Sequence, residues 1–108
     1  MAHMPSPSPV IFPNEARQLA ALGERIRLAR GRRGLTTSAV AQRAGVSRTT
    51  LYNIERGDAS VTLGAYLRVL AALGLDRDID TLAAEDPVGR RLQDLKSDPA
   101  RATRRTSK

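Results

Sequence analysis

Between Gly34 and Gly57 the chain reads GLTTSAVAQRAGVSRTTLYNIERG, and no other stretch constrains the fold as strongly. Thr36 is a good helix N-cap, and Val40, Ala41 and Ala44 follow it at helical spacing. Gly45 stands where that helix must stop, because glycine takes up the left-handed backbone conformation at little cost. Val46 then plugs the turn, and Ser47 caps a second helix. Leu51 and Ile54, three residues apart, give that second helix a narrow buried stripe, and Gly57 ends it. The expectation is two short helices joined by a tight turn.

At about 100° per residue, the face opposite Leu51 and Ile54 holds Thr49, Asn53 and Arg56, with Tyr52 at its edge and Arg48 in the first turn. These residue types can read base edges. Arginine bonds guanine bidentately, asparagine does the same with adenine, and a threonine methyl packs on thymine. A solvated helix face would also be polar, but the capped, glycine-punctuated spacing favours contact with DNA.

On these residues, with Arg30 ahead of them, the chain resembles the phage repressor/Cro-type helix-turn-helix family, often called XRE, over about residues 18–74. It departs from the usual pattern at Ala39 and Val40, where ELA is more common, a change expected to alter packing more than function. The resemblance implies that Arg48, Thr49 and Asn53 read bases and that Thr37, Ser47 and Arg56 grip phosphate. Tyr52, beside them, joins the phosphate set. It also implies that Arg30 pairs with Glu55 of the E-x-G motif, tying the first helix to the third.

A length of 108 residues suits one small domain with some tail. Aromatic content is 3%, so the core must be Leu, Val, Ile and Ala, which favours short helices over a β-sandwich. The expected class is all-α: a five- to six-helix repressor-like domain with a disordered basic C-terminal tail. Residues 1–13 read as a cloning remnant, Met1 to His3, followed by a Pro-rich, polyproline-like arm. Val10, Ile11 and Phe12 of that arm are expected to dock on the protein's own core.

Residues 14–74 are the expected DNA-binding domain. Asn14 would cap a first helix running to about Arg33, with Leu19, Leu22, Ile26 and Ala29 as its stripe and Arg30, Arg32 and Arg33 at its C-terminal end. Thr62 would cap a helix to Leu73 with Leu63, Tyr66, Leu67, Leu70 and Leu73 inward, stopped by Gly74. Residues 75–95 read as two further short helices. One spans Ile79, Leu82 and Ala83. The other opens with Asp86 as cap and Pro87 in first position, with Val88, Leu92 and Leu95 on one face. These apolar groups exceed what such a core needs to close, so Ile79, Leu82 and Leu92 are the expected dimer contact. Residues 96–108 are charged and aperiodic, a disordered tail.

The net charge of +7 is unevenly placed. Residues 1–58 carry nine Arg against four acids, residues 59–95 four Arg against six acids, and residues 96–108 five basic groups against Asp98. Basic ends around an acidic middle point to a polyanion partner, duplex DNA above all. Structured RNA is less suited, since the A-form major groove does not admit a helix.

No run of apolar residues is long enough to span a membrane, the N-terminus lacks signal-peptide order, and there is no cysteine, which agrees with the cytoplasm. Asp76, Asp78 and Asp80 imitate the start of a calcium loop, but Thr81 stands where glycine is required and Pro87 where glutamate is required. Arg104 to Ser107 fits a basophilic kinase site, a match that short basic tails produce often. There is no phosphate-binding glycine loop, zinc spacing or nucleophile–base pair, and the single histidine is His3. Neither an enzyme nor a metal or other cofactor is expected.

Two functions remain open. One is a repressor binding a palindromic operator as a homodimer. The other is an antitoxin that also holds a partner, because GLDRDIDTLAAEDPVGRRLQDL resembles the matching part of HipB-like regulators encoded beside HipA-type kinase toxins.

Overall fold

Side-chain caps set where the helices begin. In the computed structural model, which describes residues 9–97, Thr36, Ser47 and Thr62 each accept the backbone N–H three residues ahead. The helices they open are α2 (Thr37–Ala44), α3 (Arg48–Glu55) and α4 (Leu63–Ala72). Ahead of them runs α1 (Pro13–Arg32), and after them come a 3₁₀ turn (Asp76–Thr81) and α5 (Pro87–Ser97). Among the described residues the chain is all-helical. Gly45, at φ 71°, lets the chain leave α2 in the left-handed conformation, so that Val46 N–H reaches back to Ala41 O at 3.0 Å.

The described chain divides into two units between Arg77 and Asp78. In the first, α1 packs on α3, and α2 packs on both α3 and α4. Ile26 and Ala29 of α1, Val40, Ala41 and Ala44 of α2, Leu51 and Ile54 of α3, and Tyr66, Val69 and Leu70 of α4 form one core with Leu73. No polar or charged residue is buried in it. The low aromatic content shows here: small α2 alanines let the helices come close, and aliphatic groups fill the rest.

Several boundaries differ from the sequence expectation. Helix α1 opens at Pro13, not after Asn14, because a proline at the first position loses no helical hydrogen bond. Glu15 Oε1 accepts the Phe12 N–H at 3.0 Å, and Asn14 Oδ1 instead accepts from Arg17 at 2.7 Å. Of the three arm residues expected to dock, Val10 is 94% and Phe12 70% exposed, and Ile11 is half-buried. In α4 the buried face centres between Tyr66 and Val69, which leaves Leu63 and Leu67 about 90° and 130° away from it. Leu63 is accordingly exposed, and Val69 is fully buried.

The stretch expected as a helix over Ile79, Leu82 and Ala83 is only the short 3₁₀ turn. Three aspartates in five residues oppose a longer helix, since short polar side chains favour caps and turns over helix interiors. Ala83 then turns the chain with φ at 57°, a left-handed conformation rare for alanine. Asp86 and Pro87 do open the next helix, with Gly89 N–H donating to Asp86 Oδ1 at 3.0 Å. That helix continues through Ser97, so the tail does not begin at Lys96; the remainder of the tail, like residues 1–8, lies outside the described residues.

Candidate nucleic-acid interface

Helix α3 is held from behind at two places. Its C-terminal end meets α1 backbone to backbone: a Cβ built on Gly23 would lie 2.6 Å from Ile54 O and 2.7 Å from both Glu55 O and Gly57 N. Glycine is therefore required in the middle of α1. Gly57, at φ 74°, lies equally tight against the Leu19 carbonyl on the other side of this contact.

The second hold is an ion pair. Arg30 Nε donates to Glu55 Oε2 at 2.7 Å and Nη2 donates to Oε1 at 3.1 Å, while Nη1 reaches Leu35 O at 3.1 Å. The two side chains are only 18% and 9% exposed. The hydrogen bond to Glu55 holds the Arg30 pKa above the ordinary guanidinium value. One arginine thus fixes the end of α3 and the loop before α2 together. A forked guanidinium suits this task, since it supplies several donors in a rigid plane.

Neighbouring contacts set the turn and the following loop. From α4, Arg68 Nε donates to Ala44 O at 3.1 Å and Nη2 donates to Arg43 O at 3.3 Å, closing carbonyls at the end of α2. The Tyr66 hydroxyl donates to Asp58 O at 2.9 Å and anchors the loop that leaves α3. Asp58 Oδ1 accepts from the Ser60 N–H and hydroxyl, and these bonds lower its carboxyl below the usual range. Gly23 and Arg68 escaped the sequence reading. Each acts through a contact distant in sequence, and neither disturbs the periodicity of its helix.

What these holds leave outward is the other side of α3. Arg48, Thr49 and Tyr52 are exposed there, and Asn53 is half-buried. Arg48, Thr49 and Tyr52 share a shallow groove with Thr37, the first residue of α2, and with Glu55. Arg56 stacks its guanidinium over the Tyr52 ring, 5.2 Å from the centroid. The Ser47 hydroxyl accepts the Thr50 N–H and donates to Thr50 Oγ1, both at 3.0 Å. The Ser47 and Thr50 hydroxyls are thus joined in the cap, with the exposed Thr49 hydroxyl between them in the chain.

Of the expected dimer residues, Ile79 is half-buried, and Leu82 and Leu92 are 62% and 54% exposed. Among the described residues no three acidic or histidine side chains gather to hold a metal ion, and no helix is long and apolar enough to cross a membrane.

The family model described as a helix-turn-helix domain matches residues 21–82. No curated protein matches the chain. The matched span contains α2, the Gly45 turn, α3 and both of the holds behind α3. With more than half of its length so matched, the chain belongs to the helix-turn-helix domain family of DNA-binding proteins.

Proposed function

We propose that the protein is a sequence-specific transcriptional repressor that binds a palindromic operator as a homodimer. The observation that carries this reading is the outer face of α3, where Arg48 and Thr49 project from a helix locked in place by Arg30 and Gly23. An α-helix with its side chains is about 10–12 Å across, close to the width of a B-form major groove, so α3 can lie in one. Arg48, Thr49 and Asn53 take the base edges. Thr37, Ser47, Tyr52 and Arg56 take phosphates. Ile79, Leu82 and Leu92 contribute to the contact between copies. The resemblance of residues 74–95 to HipB-like regulators supports a further role as an autoregulating antitoxin of a HipA-type kinase toxin. Co-purification with the product of the adjacent gene tests that role separately.

Selection from random duplexes, followed by binding titrations at several salt concentrations, tests the repressor reading. Arg48→Ala should cost about 1–3 kcal/mol and relax preference at one base pair. Arg56→Ala should weaken every sequence nearly equally and reduce the salt slope by about one charge. An Arg48→Ala protein that keeps its base preference and loses only salt dependence would contradict these roles.

A further inference from the structure

Past Arg77 the chain carries its charge in two blocks. Residues 78–86 hold four acids, Asp78, Asp80, Glu85 and Asp86, and no base. In α5, Arg90, Arg91 and Lys96 outnumber Asp94. Both blocks also expose apolar groups: Leu82 in the first, and Val88, Leu92 and Leu95, each more than half exposed, in the second. The three α5 residues recur at steps of four and three and form one stripe, and no residue of the helix is buried. At about 100° per residue, Arg91 and Lys96 flank that stripe on opposite sides.

This flanking rules against α5 pairing with α5 of another copy. A parallel pair sets Arg91 beside Lys96, an antiparallel pair sets Arg91 beside Arg91, and both oppose like charges. The stripe instead fits an apolar surface with an acidic border, and the 78–86 block is such a surface. Within one protomer the local bonds shape the connection. Thr81 Oγ1 donates to Asp78 O at 2.8 Å, and Arg90 Nη2 donates to Ala84 O at 3.2 Å. Among the described residues, no hydrogen bond or ion pair engages the side chains of Asp80, Glu85, Arg91 or Lys96.

We propose that α5 of one protomer lies across residues 78–86 of a second copy, and the reverse, in a two-fold exchange. Val88, Leu92 and Leu95 meet Leu82 of the other copy, while Arg91 and Lys96 meet its Asp80 and Glu85. Such a contact is isologous, so the same complementarity is used twice. The exchange rests on the homodimer reading above and gives that dimer its interface.

Two full-length, charge-reversed variants test the exchange: Asp80→Lys/Glu85→Lys and Arg91→Glu/Lys96→Glu. All four side chains are exposed, so the reversals leave the core untouched. In sedimentation equilibrium the wild type should dimerise, and each variant alone should do so at least about tenfold more weakly, since repulsion replaces attraction. An equimolar mixture should regain the wild-type association, because each exchanged surface again meets its opposite charge. Variants as dimeric as the wild type, or a mixture that recovers nothing, would overturn the exchange while the wild-type dimer stands. A wild type that is monomeric both alone and on operator DNA would overturn the exchange and the homodimer reading together.

Discussion

Glu55 is 9% exposed and lies against Arg30, so its expected effect on DNA binding runs through the position of its helix. Removing it by Glu55→Ala leaves a guanidinium, 18% exposed in the intact pair, that keeps one backbone acceptor, Leu35 O. The cost should be about 3 kcal/mol, at the low end for a broken buried pair. Thermal melting should record that loss, and operator titrations should show blurred base preference. An unchanged melt with abolished binding would mean that Glu55 meets DNA directly.

Tyr66 offers a second test at the same scale. Burial, with a contribution from the charge of Asp58, raises its phenol above the ordinary value. The folded state therefore favours the neutral phenol, which donates to Asp58 O. Stability from this group is complete below the unfolded pKa of about 10 and is lost as pH rises through the higher folded value. Urea midpoints measured at rising alkaline pH should fall for the wild type, and Tyr66→Phe should remove that component.

At the scale of elements, the close approach of α1 to the end of α3 decides where α3 stands. Gly23→Ala would place a methyl 2.6 Å from Ile54 O, and a backbone carbonyl cannot swing aside as a side chain can. Alanine favours an exposed helix by about 1 kcal/mol over glycine, yet overpacking here should cost about 2 kcal/mol or more, so the net change is destabilising. Because α3 shifts as a body, affinity should fall for all sequences alike while every contacting side chain is kept. A Gly23→Ala protein with unaltered melting and binding would show that α1 yields without disturbing α3.

For the whole molecule, a dimer has to present two copies of α3 to one face of the duplex. Recognition helices about 34–36 Å apart would protect half-sites centred one helical turn apart. Footprinting with the selected operator should show that spacing, and inserting about half a turn between half-sites should weaken binding by moving them to opposite faces. Tolerance of the insertion would mean that each copy binds on its own.

The sequence by itself determined the local part of this protein. Thr36, Ser47 and Thr62 mark helix starts through bonds that span three residues, and Gly45 and Gly57 mark exits that need a positive φ. Such signals are legible because cause and effect lie within one turn of chain. Of the outward set that the same periodicity gives, Arg48, Thr49, Tyr52 and Arg56 are exposed, while Asn53 is half-buried. The Arg30–Glu55 pair, 25 residues apart, was suggested only by family resemblance, and its geometry belongs to the packing of α1 on α3. Gly23 and Arg68 were invisible for the same reason. A glycine within a helix reads as a mild weakness until another backbone arrives against it, and an arginine on α4 reads as solvated until the carbonyls of Arg43 and Ala44 turn toward it. The 3₁₀ turn at Asp76–Thr81 marks where apolar spacing misled, because closely spaced aspartates outweighed the pattern set by Ile79 and Leu82. Tertiary contact alone decided which of these side chains became supports for α2 and α3.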